Sequence, residues 1–131
     1  GAFVAGLKAG LLCPKFPAMC NLENLFIGNW AGNLSSKMPE HLVKLNLQNI
    51  HRILAYVVYG FIAILAIKAK GWKLSDTAKS GVNILFLLVN MQFALGVFTL
   101  IYQVPILLGV LHQFGALLLL LSLVYLLKIS K

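Results

Sequence analysis

Three long apolar runs dominate the second part of the chain, at residues 50–67, 82–102 and 106–127, with lengths of 18, 21 and 22 residues. About 20 helical residues cross a hydrocarbon core of roughly 30 Å, so each run predicts a transmembrane helix. The opening run, residues 1–12, is equally apolar but would rise only about 18 Å as a helix, half a span. The chain is therefore expected to begin mid-helix, with the remainder cut away, on another polypeptide, or upstream of Gly1. Residues 13–49 are polar and punctuated by Pro14, Pro17, Pro39, Gly28 and Gly32, which predicts a loop carrying a short surface helix at about 39–47. Within it Phe26 and Trp30 suit an interfacial position. Gln103, Val104 and Pro105 predict a tight turn between the last two spans. The expected fold is an all-α, polytopic membrane helix bundle: three full transmembrane helices plus the outer half of a fourth.

Composition removes the competing classes. The 131 residues are 60% hydrophobic and 11% charged, with a mean hydropathy of +0.90. A soluble domain is nearer half apolar and a quarter charged, and disorder needs fewer apolar residues still. The net charge of +8 suggests nucleic acid, but no basic stripe alternates with exposed aromatics, and no nucleic-acid partner is expected. The lysines instead cluster at the ends of apolar runs and report topology. Lys68, Lys70, Lys73 and Lys79 against Asp76, with Lys128 and Lys131 in the tail, place the 68–79 loop and the carboxyl terminus on the cytoplasmic or matrix side. The 13–49 segment and the 103–105 turn then lie on the outer face. Nothing before Cys13 reads as a signal peptide, and no internal repeat or low-complexity tract is visible.

Ionisable side chains inside spans are costly and here reduce to Lys8, His51, Arg52 and His112. His51 is the second residue of one inward-running span and His112 the seventh of another, so their imidazoles lie within roughly 10 Å in depth. Two neutral imidazoles at matched depth on neighbouring helices can supply both axial ligands of a haem iron. Small residues near them, Gly109, Gly115 and Ala116 beside His112 and Ala55 beside His51, leave room for a flat macrocycle. The bland alternative is that each histidine hydrogen-bonds across helices to Asn90 or Gln92. Arg52 could neutralise a haem propionate or snorkel to headgroups. Gln113 could support a ligand or clasp a neighbouring helix. Gly6 and Gly10, preceded by Ala2, form a small-residue spacing that signals helix packing, and Lys8 should snorkel.

Cys13 and Cys20 lie on the side where oxidation is permitted. Closing their loop would contribute about 2.5 kcal/mol on the chain-entropy model if the geometry allows it. Two unpaired thiols are the alternative, and a redox relay is disfavoured because the CxxC spacing is absent. No span contains an acidic residue, and no HExxH, P-loop or serine-nucleophile motif occurs. Intramembrane acid or base catalysis by this chain alone has no candidate carboxylate, so no catalytic residue is assigned.

The strings GAFVAGLKAG at 1–10, FPAM at 16–19, NIHRILAY at 49–56, QFALGVFTL at 92–100 and VPILLGVLHQFGALLLL at 104–120 together resemble the carboxyl-terminal half of haem A synthase, most of all its mitochondrial and alphaproteobacterial branch. The resemblance covers essentially the whole chain. It implies an eight-helix protein of two similar four-helix halves, of which residues 1–131 would be the second, with 13–49 as its outer-face loop. The activity implied is oxidation of a methyl group of haem O to the formyl group of haem A for cytochrome oxidase. It implies haem b as cofactor, held by His51 and His112, with Arg52 and Gln113 nearby, while the missing amino-terminal half holds the substrate haem. The implied partners are membrane lipid, that amino-terminal half, haem O and a further copy of the chain. The implied location is the mitochondrial inner membrane, with a bacterial plasma membrane as the alternative. A non-enzymatic haem b electron carrier or a quinone-linked anchor would use the same two ligands. A haem-free structural subunit would use neither.

Overall fold

The computed structural model describes residues 4, 9–13, 16–20 and 40–129. The expected half-span helix at 1–12 falls partly outside these residues, as do Gly6, Lys8, Phe26 and Trp30. Among the described residues the architecture is all-helical, with three long helices after a short 3-10 turn at Ala9–Leu11. Helix α1 runs from Glu40 to Ala69, α2 from Asp76 to Ile101 and α3 from Ile106 to Ile129, with 30, 26 and 24 residues. Their lengths, about 45, 39 and 36 Å, all exceed the hydrocarbon thickness of roughly 30 Å. All three are apolar enough to cross a membrane.

The first helix corrects one expectation. The surface helix at about 39–47 is not a separate element; it is the opening of α1, which continues without a break into the first span. No proline or glycine interrupts residues 40–59, and Glu40 pairs with Lys44 one turn on at 2.6 Å. The polar side chains at its start, Glu40 and His41, are exposed, but one to two turns on Asn46, Gln48 and Asn49 are buried, Asn49 completely.

Local chemistry sets the ends of α2. Ser75 caps it, its hydroxyl accepting from the Ala78 amide at 3.2 Å. At the other end the Gln103 amide donates to the Leu100 carbonyl at 3.1 Å and the Val104 amide to the Thr99 carbonyl at 2.7 Å. These two bonds form a Schellman cap, and Gln103 occupies its left-handed position at φ 59°. Val104 follows at φ 60° and Pro105 opens α3, so the tight turn lies at 102–105. The side chain of Val104 packs on Gly10, which brings this turn to the same end as the 3-10 turn.

Helix α2 packs along both α1 and α3. The apolar core joins all three: Ile62 and Ala69 from α1, Val82, Leu85 and Val89 from α2, and Leu126 from α3. That core sits towards the lysine-rich end. Outside it, large apolar side chains face outward, including Ile106 at 87% and Phe61 at 69% exposure. Such a surface would be untenable in water and is ordinary against lipid or another membrane helix.

Candidate functional site

Near the opposite end, α1 and α3 each project one imidazole into the same space. The ring centres of His51 and His112 stand 6.3 Å apart with their planes at 89°. Both residues are half-buried. The depth match anticipated from helical rise is thus a direct ring contact. Metal–imidazole bonds of about 2 Å on either side, plus the half-width of each ring, require ring centres roughly 6 Å apart. Perpendicular planes are compatible with that, because each ring can turn about its own metal–nitrogen bond. Among the described residues no group of three His, Cys, Asp or Glu side chains converges. Two imidazoles alone do not complete a zinc tetrahedron, whereas a haem brings four nitrogens of its own and needs only an axial pair.

The seat of His112 is cut into α2. A Cβ at Gly96 would lie 3.0 Å from His112 Cε1, so the imidazole rests over bare backbone. One turn earlier, the Gln92 Nε2 donates to the His112 carbonyl at 2.8 Å. The Gln92 oxygen occupies the space that a side chain at position 115 would need, so Gly115 accommodates this amide rather than a macrocycle. Gly109, one turn before His112, has open space around its Cβ position.

Of the two cross-helix partners considered for the histidines, Asn90 is bonded elsewhere. Asn90 accepts from the Tyr59 hydroxyl at 3.0 Å and donates to the Phe86 carbonyl at 2.7 Å. Gln92 bonds the backbone of His112, and His112 Nδ1 is buried without a hydrogen-bond partner among the described residues. A cluster of aromatic rings joins α1, α2 and Phe16. Phe93 of α2 lies 5.0 Å from Tyr59, 5.7 Å from Tyr56 and 6.4 Å from Phe16, ring centre to ring centre.

A polar clasp closes the end of the site. Cys13 and Cys20 form a disulfide, with Cα atoms 5.9 Å apart. The loop it closes is held on α1 by three side chains within one helical turn. Gln48 accepts from the Cys13 amide at 3.1 Å and donates to the carbonyls of Gly10 at 2.9 Å and Cys13 at 3.3 Å. Asn49 donates to the Cys20 carbonyl at 2.7 Å. The Arg52 guanidinium donates to the carbonyls of Cys13 at 2.6 Å and Ala18 at 2.9 Å. Arg52 is thus tied to backbone, a use that neither of its two expected roles anticipated. Because His51 lies between Asn49 and Arg52, the clasp anchors the turn of α1 that carries it. Gln113 is exposed and takes no part in these contacts. Sequence reading singled out neither Gln48, Asn49, Phe93 nor Gly96; the four-residue spacing of Gln92 and Gly96, facing one side of α2, was the available signal.

The chain as a whole is similar to known proteins. A family model described as cytochrome oxidase assembly protein, COX15-CtaA, matches residues 1–124. The chain is 41% identical over its whole length to a haem A synthase from Flavobacterium johnsoniae. It is 39% identical over 95% of its length to one from Flavobacterium psychrophilum, and 32% identical over 91% to one from Nitrosospira multiformis. It spans 39%, 37% and 33% of the length of those three relatives. No solved structure matches it.

Proposed function

The chain belongs to the haem A synthase family of cytochrome oxidase assembly proteins, and from that premise we propose that it is the haem-b-holding half of such an enzyme. His51 and His112 would hold its iron, one imidazole from each of two helices. Haem b held there would supply a one-electron redox centre. The observation that carries this reading is the 6.3 Å separation of two imidazoles from different helices, at the spacing an iron between them requires. The chain's own residues hold that geometry: Gln48, Asn49 and Arg52 anchor the turn bearing His51, while Gly96 and Gln92 seat His112. Phe93 of α2 packs on Tyr56 and Tyr59 of α1 and so braces the two helices against each other.

The activity of the whole protein is oxidation of a methyl group of haem O to the formyl group of haem A, carried out together with an amino-terminal half that binds the substrate. The relatives named above are bacterial, which favours a plasma membrane over the mitochondrial inner membrane expected from resemblance. Co-expression with the amino-terminal half of a relative tests the proposal. The purified protein should show low-spin bis-imidazole absorption, and His112→Ala should abolish it. An unchanged spectrum in that variant refutes the ligand assignment. Stoichiometric haem b without haem A formation would identify an electron carrier instead, and absence of haem a structural subunit.

A further inference from the structure

Resting on the reading of His51 and His112 as a ligand pair, we propose that Gly96 of α2 is the positioning residue that sets the plane of the His112 imidazole, and with it the crossed arrangement of the two rings.

The ring enters α2 edge-on. From the place a Cβ would take at Gly96, His112 Cε1 is 3.0 Å away, and Nδ1 and Nε2 are equally far at 3.6 Å. Cε1 lies between the two nitrogens, so the ring points that corner straight at the missing side chain, into a notch that only glycine leaves open. The same notch bares the Gln92 backbone one turn earlier, and the imidazole lies against it. The helices are not free to part at this level, because Gln92 Nε2 donates to the His112 carbonyl at 2.8 Å and ties α2 to α3. Carbon atoms rest at about 3.5–4.0 Å from one another, so a methyl group at 96 would push Cε1 away by roughly 0.5 Å or more. With the backbones joined, the ring turns instead. The sign of the effect follows from the starting angle. At 89° the two imidazole planes are already as far from parallel as planes can be, so any turn that changes the angle lowers it. On α1, by contrast, the Cβ position of Gly60 has nothing within 4 Å.

The protein assembled with an amino-terminal half in lipid nanodiscs tests this. In the oxidised, haem-loaded form, Gly96→Ala should keep the low-spin bis-imidazole bands while the largest g value of its electron paramagnetic resonance falls from the highly anisotropic position towards that of parallel imidazoles. Gly60→Ala should leave that value where it is. A residue that merely packs would lower the unfolding midpoint and leave g unmoved; that result in Gly96→Ala, or a native signal already at the parallel position, overturns the proposal. Where the alanine variant does not assemble or takes up no haem, the native protein decides. In its haem-free form, magnetisation should pass directly between the His112 Cε1 proton and the Gly96 α protons, and absence of that transfer overturns the proposal too. Failure of the native assembly to take up haem overturns the ligand reading instead, while the same transfer still decides whether Gly96 seats the ring.

Discussion

At the lysine-rich end, α1, α2 and α3 meet through Ile62, Val82, Leu85, Val89 and Leu126, whereas at the histidine end α1 meets its neighbours through Gln48, Asn49 and Arg52. The first set is dispersion and shape. The second is a group of directional bonds onto backbone carbonyls. In lipid the apolar set gains little from the hydrophobic effect, because acyl chains solvate leucine as well as leucine does. A polar side chain in the same setting has no alternative partner of equal quality. The histidine end is therefore the one whose geometry is specified atom by atom, which is what an axial ligand pair demands.

Substitutions can separate the two ends. The largest expected effect is at the apolar end: Leu85, fully buried, should cost about 3 kcal/mol when replaced by alanine, through lost packing and a cavity. Reversible unfolding in mixed micelles measures it, and haem absorption of the folded protein should be unaltered. Arg52→Leu should cost less, about 2 kcal/mol for the lost charge-assisted bonds, yet lower haem occupancy, because the turn bearing His51 loses its anchor. Equal occupancy in the two variants would erase the distinction between the ends. The smallest effect is a gain. Gln103→Gly should stabilise by about 0.5–1 kcal/mol, since glycine adopts φ 59° without strain, and occupancy should not change.

The helices were legible because membrane spans announce themselves by length and apolarity. The histidine pair was legible because helical rise converts sequence position into depth. The beginning of α1 was not, since Asn46, Gln48 and Asn49 look the same in sequence whether water or a folded loop satisfies them. Here the partners of Gln48 and Asn49 are carbonyls 29 to 38 residues away, in a loop whose position depends on the whole fold. The backbone partners of Arg52 were hidden for the same reason: its charge suggested a propionate or a headgroup, and the carbonyls of Cys13 and Ala18 that accept from it lie in that same loop. Gly115 was noted as room for a macrocycle, but only the position of α2 reveals that an amide fills it.

The most direct measurement of the central claim is low-temperature electron paramagnetic resonance of the oxidised, haem-loaded assembly. Imidazole planes standing at 89° on either side of one iron predict a highly anisotropic low-spin ferric signal that is lost on replacing His51 or His112. A high-spin signal, or a low-spin signal that survives both replacements, would contradict the assignment of these two histidines to one haem.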